Sequence, residues 1–329
     1  MVTSDLALEA AVERFGLGEM AEPAVPVDEA WSNDVFRVRT GSGVFAVKLY
    51  PLGMSTDRRE ALCDAMAFEH LVLKLGQVPM PRPVTADGAC LIDLTTESGT
   101  RAARCHEWVN GTPATREPLT TDLIRDAGRS LGALHALHVP GGDSSQLRSP
   151  DIDRWDRAVR DASQQRFSWA QQLADLTPVI RGLGADLELL RGERRPMRVS
   201  HRDFDPKNAV VDSTGRLVIT DWDNAGPVLA EAELIIAATS FTSTEDGLRN
   251  FVAAYREIVG DAGPADALAM TVEAADLDWL LRNVEGCVRS DPSDDVELLH
   301  RSAVDLIASF EADVARLHAW PDRLAALCP

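Results

Sequence analysis

Lysine is nearly missing from this chain. Of its 33 basic residues only Lys48, Lys74 and Lys207 are lysine. A chain that writes arginine almost everywhere else keeps lysine where a slim point charge is needed. Basic residues are also outnumbered, since 52 acids leave a formal net charge of −19. A nucleic-acid binder needs a basic surface to neutralise phosphates, so that partner class is excluded. The acidity draws small cations, or simply keeps the chain in solution. Apolar runs are short: the longest, Leu234–Ala238, falls far below the roughly 20 residues of a membrane span. The opening MVTSDLALEAAVERFG carries acids where an export signal has a basic flank, and this predicts a cytoplasmic protein with no membrane partner. The five cysteines (Cys63, Cys90, Cys105, Cys287, Cys328) are scattered, odd in number and never in CxxC spacing. They argue for reduced thiols, against a disulfide framework and against a zinc site.

At 329 residues the chain is long for one compact core, and two lobes are expected. After an opening helix, Ala24–Val27, Asp34–Arg39, Val44–Tyr50, Cys90–Leu94 and Ala102–Val109 read as the five strands of an antiparallel sheet, with GSG at 41–43 as a hairpin turn. A helix from Arg58 to Leu75 joins them and stops at Gly76, before PMPRP. Beyond Gly111 helical periodicity takes over, in Leu119–Leu137, Asp153–Gln165, Trp169–Leu190, Ala230–Thr242, Gly247–Val259, Ala265–Val288 and Asp294–His318. One strand pair, Val210–Asp212 and Leu217–Thr220, interrupts them. The expected fold is α+β: a small β-rich lobe over residues 1–108 and a larger, mainly helical lobe over 109–329.

VSHRDFDPKNAVV, from Val199 to Val211, crowds His201, Asp203, Asp205, Lys207 and Asn208 into one loop; ITDWD then adds Asp221 and Asp223 after a strand. A hairpin between them would bring the Asn208 amide oxygen and the Asp221 carboxylate together as hard ligands for Mg²⁺. Asp203, near the metal but off it, could take a proton from a hydroxyl. Phosphoryl transfer needs that division of labour, with a cation on the phosphates as well. Lys48, ending VFAVKLY, supplies one, and Glu69 or Glu60 on the following helix would hold it in place. Asx residues favour turns, so a bland loop is the rival reading.

His201-x-Asp203-x4-Asn208 followed by Asp221 resembles the catalytic and metal loops of the protein-kinase-like superfamily. The finer pattern is similar to the aminoglycoside phosphotransferase family and its choline-kinase and homoserine-kinase relatives. AWSNDVFRVRT with GVFAVKLY, FEHLVLKLGQVPMPRP, CHEWVNGT, LGALHAL and ITDWD carry it across residues 24–320. The resemblance implies a bilobal kinase-like fold and an ATP-dependent O-phosphotransferase, a kinase of antibiotic-resistance type. Asp203 would be the catalytic base, and Asn208 and Asp221 would hold Mg²⁺. Lys48 would contact the α/β-phosphates and pair with Glu69, with Glu60 the weaker candidate. Backbone near Glu107 and Val109 would bind adenine, and Ser32 and Asn33 would cover the terminal phosphates. His201 would brace the loop.

Departures from the family pattern are visible. No GxGxxG covers the phosphates, which leaves ATP and GTP both open, and Arg202 stands where the family more often has glycine. Lys207 either serves the γ-phosphate or points to solvent. The acceptor would be a small molecule, cationic and bearing amino groups. Asp205, Asp223, Asp276 and Asn283 are its candidate contacts, the last two from an acid-rich stretch that a solvated helix face explains equally well. The expected enzyme is a monomer or homodimer. Rival functions are a metabolite kinase for choline, homoserine or an amino sugar, a non-catalytic kinase-like scaffold, and a metallohydrolase ligating metal through His201, Asp203, Asp205, Asp221 and Asp223.

Overall fold

A computed structural model describes residues 2–27, 33–96, 99–148, 151–260, 269–289 and 296–319. In chain order the elements are α1 (Val2–Arg14), β1 (Val25–Pro26), β2 (Asp34–Thr40), β3 (Gly43–Leu49), α2 (Thr56–Leu75), β4 (Pro83–Val84), β5 (Ile92–Thr96), β6 (Gly99–Glu107), β7 (Gly111–Pro113), α3 (Thr121–Ala136), β8 (Pro140–Asp143), α4 (Ile152–Gln164), α5 (Ala170–Asp175), α6 (Thr177–Glu193), β9 (Pro196–Ser200), β10 (Ala209–Asp212), β11 (Leu217–Ile219), β12 (Gly226–Val228), α7 (Ala230–Phe241), α8 (Glu245–Val259), α9 (Ala269–Arg289) and α10 (Val296–His318). The α+β class expected from the sequence is the one observed.

The chain forms two compact units: residues 1–134 with 200–226, and residues 135–199 with 227–329. This grouping differs from a division at residue 108. The stretch from Ser200 to Gly226 joins the sheet-bearing unit because its backbone and acids are tied there. Ile219 N–H donates to Pro79 O at 2.9 Å, and Asp221 and Asp223 are bound by side chains of the sheet.

In the first unit the main sheet has six strands, ordered β1-β2-β3-β6-β4, with β5 also on β6. The strand beyond the five expected is β4, formed by the last proline of PMPRP and the following Val84, which pair with His106 and Cys105. Proline is tolerated there because β4 is an edge. Strand alternation sorts the sheet's side chains by face. Val38, Phe45, Val47, Leu49, Ala103 and Cys105 pack with Ala7, Leu8, Ala11 and Val12 of α1. Lys48, by that period, points to the other face, as does Arg104, its direct partner in the β3–β6 register.

Helix α2 starts at Ser55, whose hydroxyl accepts from Arg58 N–H, and stops at Gly76, whose φ of 64° is left-handed. It buries Leu62, Ala65, Met66, Phe68, Glu69 and Val72. A second, three-stranded sheet runs β11-β10-β7. Its glycine is obligatory: a Cβ on Gly111 would stand 2.2 Å from Val211 O.

The second unit is mainly helical, with a small sheet ordered β12-β9-β8. Its core is built on Trp155, Trp169, Leu173, Ile180, Leu280, Val284 and Phe310. The single helix expected over Trp169–Leu190 is two helices, α5 and α6. Pro178 lies in the first turn of α6, where its missing N–H costs nothing; deeper in one continuous helix it would break the ladder. Residues 261–268 and 290–295, where the expected last two helices begin, lie outside the described residues.

Candidate active site

The β10–β11 hairpin is what makes a site of the two sequence motifs. Ala209 pairs with Ile219, and Thr220 N–H donates to Asn208 O at 2.8 Å, so the residues entering and leaving the hairpin lie side by side. The fully buried His201 locks the preceding loop to this end: its Nε2 donates to Thr220 O at 3.0 Å, and its ring packs on Trp222 at 4.7 Å and Phe204 at 5.9 Å between centroids.

Two residues here hold left-handed backbone without being glycine: Arg202 at φ 63° and Asp221 at φ 57°. Such conformations cost on the order of 1–2 kcal/mol each and persist where surrounding contacts impose them. A glycine at position 202 would adopt this angle without that cost. In this chain the Arg202 side chain lies against Gly226, where an added Cβ would come within 3.0 Å of its Nη1.

Asp203 is three-quarters covered, with side-chain exposure of 25%. Lys207 Nζ lies 2.9 Å from its Oδ1, and Asn224 Nδ2 donates to its Oδ2 at 3.3 Å. Burial alone would raise the Asp203 carboxyl, but the Lys207 charge and hydrogen bond outweigh it and hold it below the usual range. Lys207 therefore meets the proposed base instead of simply pointing to solvent. Asn208 donates its side-chain amide to Asp203 O at 2.9 Å, which leaves its Oδ1 as a hard oxygen donor. Asp205 caps a short 3₁₀ turn by accepting from Lys207 N–H.

Lys48 comes from 173 residues upstream to meet Asp221 Oδ1 at 2.6 Å, and it also binds Asp223 Oδ2 at 2.8 Å. Burial works against its charge, yet Asp223 and Asp221 together raise its affinity for the proton above the usual lysine range. The expected pairing of Lys48 with Glu69 is not what the structure shows. The Glu69 carboxylate, fully buried, is taken by Arg104 Nη2 and by His106 Nε2, the latter at 2.9 Å. Glu60 is exposed. The reason is the register: Arg104 sits opposite Lys48 on the same face of the sheet, and its planar fork reaches both Glu69 and Asp223.

Asp223 is not placed as an acceptor contact. It is buried, and it takes Arg104 Nη1 on one oxygen and Lys48 with Tyr50 OH (2.7 Å) on the other. Burial opposes its ionisation, but Lys48 and Arg104 hold the carboxyl well below the usual range. Asn283 is buried in the core of the second unit, with its amide donating to Trp279 O at 2.8 Å along α9. An interior asparagine on an amphipathic helix satisfies itself on the preceding turn. Asp276 is in α9, but its side chain lies outside the described residues, as does Ser32. Asn33 immediately precedes β2.

Glu107 ends β6 and Val109 follows it in the link towards β7. The amides of Glu107 and Trp108 are already engaged, with Arg82 O at 2.8 Å and Val44 O at 2.9 Å, and the Arg37 guanidinium lies 5.5 Å from the Trp108 ring centre. Arg104, Tyr50 and His106 escaped the sequence reading. Their signals were a charge set between Ala103 and Cys105 in the middle of the strand RAARCHEWV, and a tyrosine two residues beyond Lys48 and so on its face.

The His201, Asp203, Asp205, Asp221 and Asp223 cluster required by a metallohydrolase does not form. Among the described residues no three His, Cys, Asp or Glu side chains converge as a metal site. Nor, among them, is any helix long and apolar enough to cross a membrane.

A β-rich region presenting a lysine, followed by a catalytic loop and an Asp-bearing hairpin, defines a small-molecule phosphotransferase of protein-kinase-like fold. The chain belongs to the phosphotransferase enzyme family (APH), whose model matches residues 24–268. It is similar to solved structures over nearly its whole length. A spectinomycin phosphotransferase in complex with ADP and spectinomycin is 14% identical, with a TM-score of 0.65 over 97% of this chain and 98% of that one. An amicoumacin kinase in complex with AMP-PNP, Ca²⁺ and Ami is 13% identical, with a TM-score of 0.61 over 94% and 93%. A microcompartment-associated aminopropanol kinase is 19% identical, with a TM-score of 0.58 over 97% and 98%. No curated protein matches the chain.

Proposed function

We propose that this chain is an ATP-dependent kinase that moves the γ-phosphoryl group to a hydroxyl of an aminoglycoside-like or other amino-bearing small molecule, in the cytoplasm. The observation that carries this reading is the Lys48–Asp221 contact at 2.6 Å. It joins the cation for the phosphates to the acid that leads the metal pair. In this reading the sheet of residues 1–108 takes the nucleotide, with adenine against the backbone near Glu107 and Val109 and the terminal phosphates under the segment bearing Ser32 and Asn33.

The donor set fits Mg²⁺. Asn208 keeps its Oδ1 and Asp221 its second carboxylate oxygen, both hard ligands at one end of the hairpin. A divalent cation bound there supplies charge neutralisation on the phosphate oxygens. Asp203, ionised at neutral pH, accepts the proton of the attacking hydroxyl, and Lys48 steadies the phosphates; the acceleration comes from positioning and charge rather than covalent chemistry. Asp205, at the lip of the same loop, remains the acceptor contact from the sequence reading.

The acceptor class is supported by the net charge of −19, which favours a cationic substrate. Relatives that are named for spectinomycin, amicoumacin and aminopropanol agree in carrying amino groups beside hydroxyls. The test is release of ADP from Mg–ATP by purified protein across a panel of aminoglycosides, amino alcohols and amino sugars. Turnover on several antibiotics supports the resistance-type reading. Turnover confined to one central metabolite, at micromolar Michaelis constant, assigns a metabolite kinase instead. Nucleotide hydrolysis that no acceptor accelerates would sink both.

A further inference from the structure

In the β3–β6 register Lys48 stands directly opposite Arg104. Like charges in that relationship repel, and both side chains are largely withdrawn from water, with exposures of 16% and 1%. Something anionic must lie between them. That group is Asp223, whose two oxygens are divided: one on Arg104, the other shared by Lys48 and Tyr50. Arg104 spends its remaining fork nitrogen on Glu69, whose other oxygen meets His106.

We infer that Asp223, the second acid of ITDWD, is the residue that positions Lys48 in this enzyme, and that Arg104 stands between Lys48 and the helix acid Glu69. The inference rests on the proposed role of Lys48 at the nucleotide phosphates and goes beyond it by assigning what holds that lysine. Three details support it. Asp223 is the more buried of the two acids on Lys48, with side-chain exposure of 6% against 40% for Asp221, so it is the less screened anchor. Its carboxylate has no rotational freedom left, because Arg104 and Tyr50 fix it from two sides. Asp221, by contrast, keeps an oxygen for a metal and is a poor permanent partner for a lysine that must also serve phosphate. The arrangement thus separates two tasks on residues two apart: Asp221 for the cation and Asp223 for the lysine. Helix α2 reaches Lys48 only at second hand, along Glu69–Arg104–Asp223. Asp223, Arg104 and Tyr50 are positioning residues; none of them acts on the substrate.

The scarcity of lysine makes a test possible that needs no substrate. With only Lys48, Lys74 and Lys207 present, acylation by an N-hydroxysuccinimide ester can be followed peptide by peptide by mass spectrometry, the exposed Lys74 serving as internal standard. The experiment uses the full chain in magnesium-containing buffer. The expected result for Asp223→Asn is Lys48 acylation faster by about 10-fold relative to Lys74, the size of a lost charge-assisted hydrogen bond. Glu69→Gln is expected to leave the ratio within about twofold. The opposite pattern, with Lys48 released by Glu69→Gln and unaffected by Asp223→Asn, overturns the inference.

If Asp223→Asn does not fold, Tyr50→Phe takes its place. It removes one hydrogen bond from Asp223 without burying a lone charge, and a ratio raised above that of Glu69→Gln is expected. A Tyr50→Phe ratio no higher than that of Glu69→Gln overturns the inference. Turnover by Lys48→Met is measured alongside. Full activity in that variant removes the proposed role of Lys48 and leaves the labelling result standing, so the two failures are distinguishable.

Discussion

Lys207 Nζ lies 2.9 Å from Asp203 Oδ1, one turn further along the same loop. An ammonium on the carboxylate proposed to receive the hydroxyl proton favours the ionised form of that carboxylate. Removing it therefore has a signed consequence. In Lys207→Ala the acidic limb of the kcat–pH profile is expected to move to higher pH, while kcat at neutral pH, well above that limb, changes little on this account. A profile of unchanged shape would mean that Lys207 does not tune Asp203.

Asp203 itself has a sharper prediction. Asp203→Asn keeps the shape and the hydrogen bond from Asn224 but cannot take a proton. Turnover is expected to fall by about 10³-fold, while Mg–nucleotide affinity, measured by calorimetry, stays close to that of the parent. Unchanged turnover removes Asp203 from the mechanism.

The buried cluster also governs stability. Arg104→Met leaves Asp223 with Lys48 and Glu69 with His106 alone, and breaking a buried pair in this way costs about 3–5 kcal/mol. The double variant Arg104→Met/Glu69→Gln removes the stranded charge and is expected to recover part of that loss in urea denaturation. Equal losses in the single and double variants would show that Glu69 is not held by Arg104.

Acid sensitivity follows from the same group. The folded-state carboxyl of Asp223 lies below its unfolded value, so its contribution is complete above the ordinary carboxylate range and is lost as pH falls through and below it. The urea midpoint of the parent is expected to drop steadily below about pH 4. In a folded Asp223→Asn variant the midpoint at neutral pH is lower and this acid-dependent drop shallower. An equal slope in both would assign the acid sensitivity to other carboxylates.

Gly111 tests the strand that supports the hairpin. Gly111→Ala pushes a methyl into Val211 O and is expected to cost about 1–3 kcal/mol of stability through displacement of β7 from β10. Little change in the urea midpoint would mean that β7 shifts freely and contributes no support.

Much of the fold was legible because its elements advertise themselves locally. Lys48 lies near the end of an alternating strand, α2 closes on Gly76, and the β10–β11 turn carries Ser213-Thr214-Gly215. Each depends on residues near one another in sequence. What escaped was short or arranged by packing. The strands β4, β7, β8, β9 and β12 have five residues or fewer, too few for any periodicity to register. The break between α5 and α6 turned on one proline inside an otherwise helical pattern. Asn283 looked like a polar side chain facing a ligand and is a core residue bonded to its own helix. Hydrophobic periodicity reports which stripe of a helix is apolar but does not say which polar neighbour the core engulfs.

The amino-acid sequence by itself determined the chemistry available to this protein: a loop aspartate, an Asn/Asp pair at the two ends of a hairpin, a rare lysine, and a surplus of acid. Those are matters of residue type and short spacing, and they follow from local physics. Only the tertiary structure decided who partners whom. Strand register put Arg104 opposite Lys48, and two buried cations on one face required a shared anion. Asp223 filled that position, and Glu69 was left to Arg104 and His106. Desolvated charges must be matched wherever the chain brings them together, and that meeting place is a property of the packed sheet rather than of any stretch of sequence.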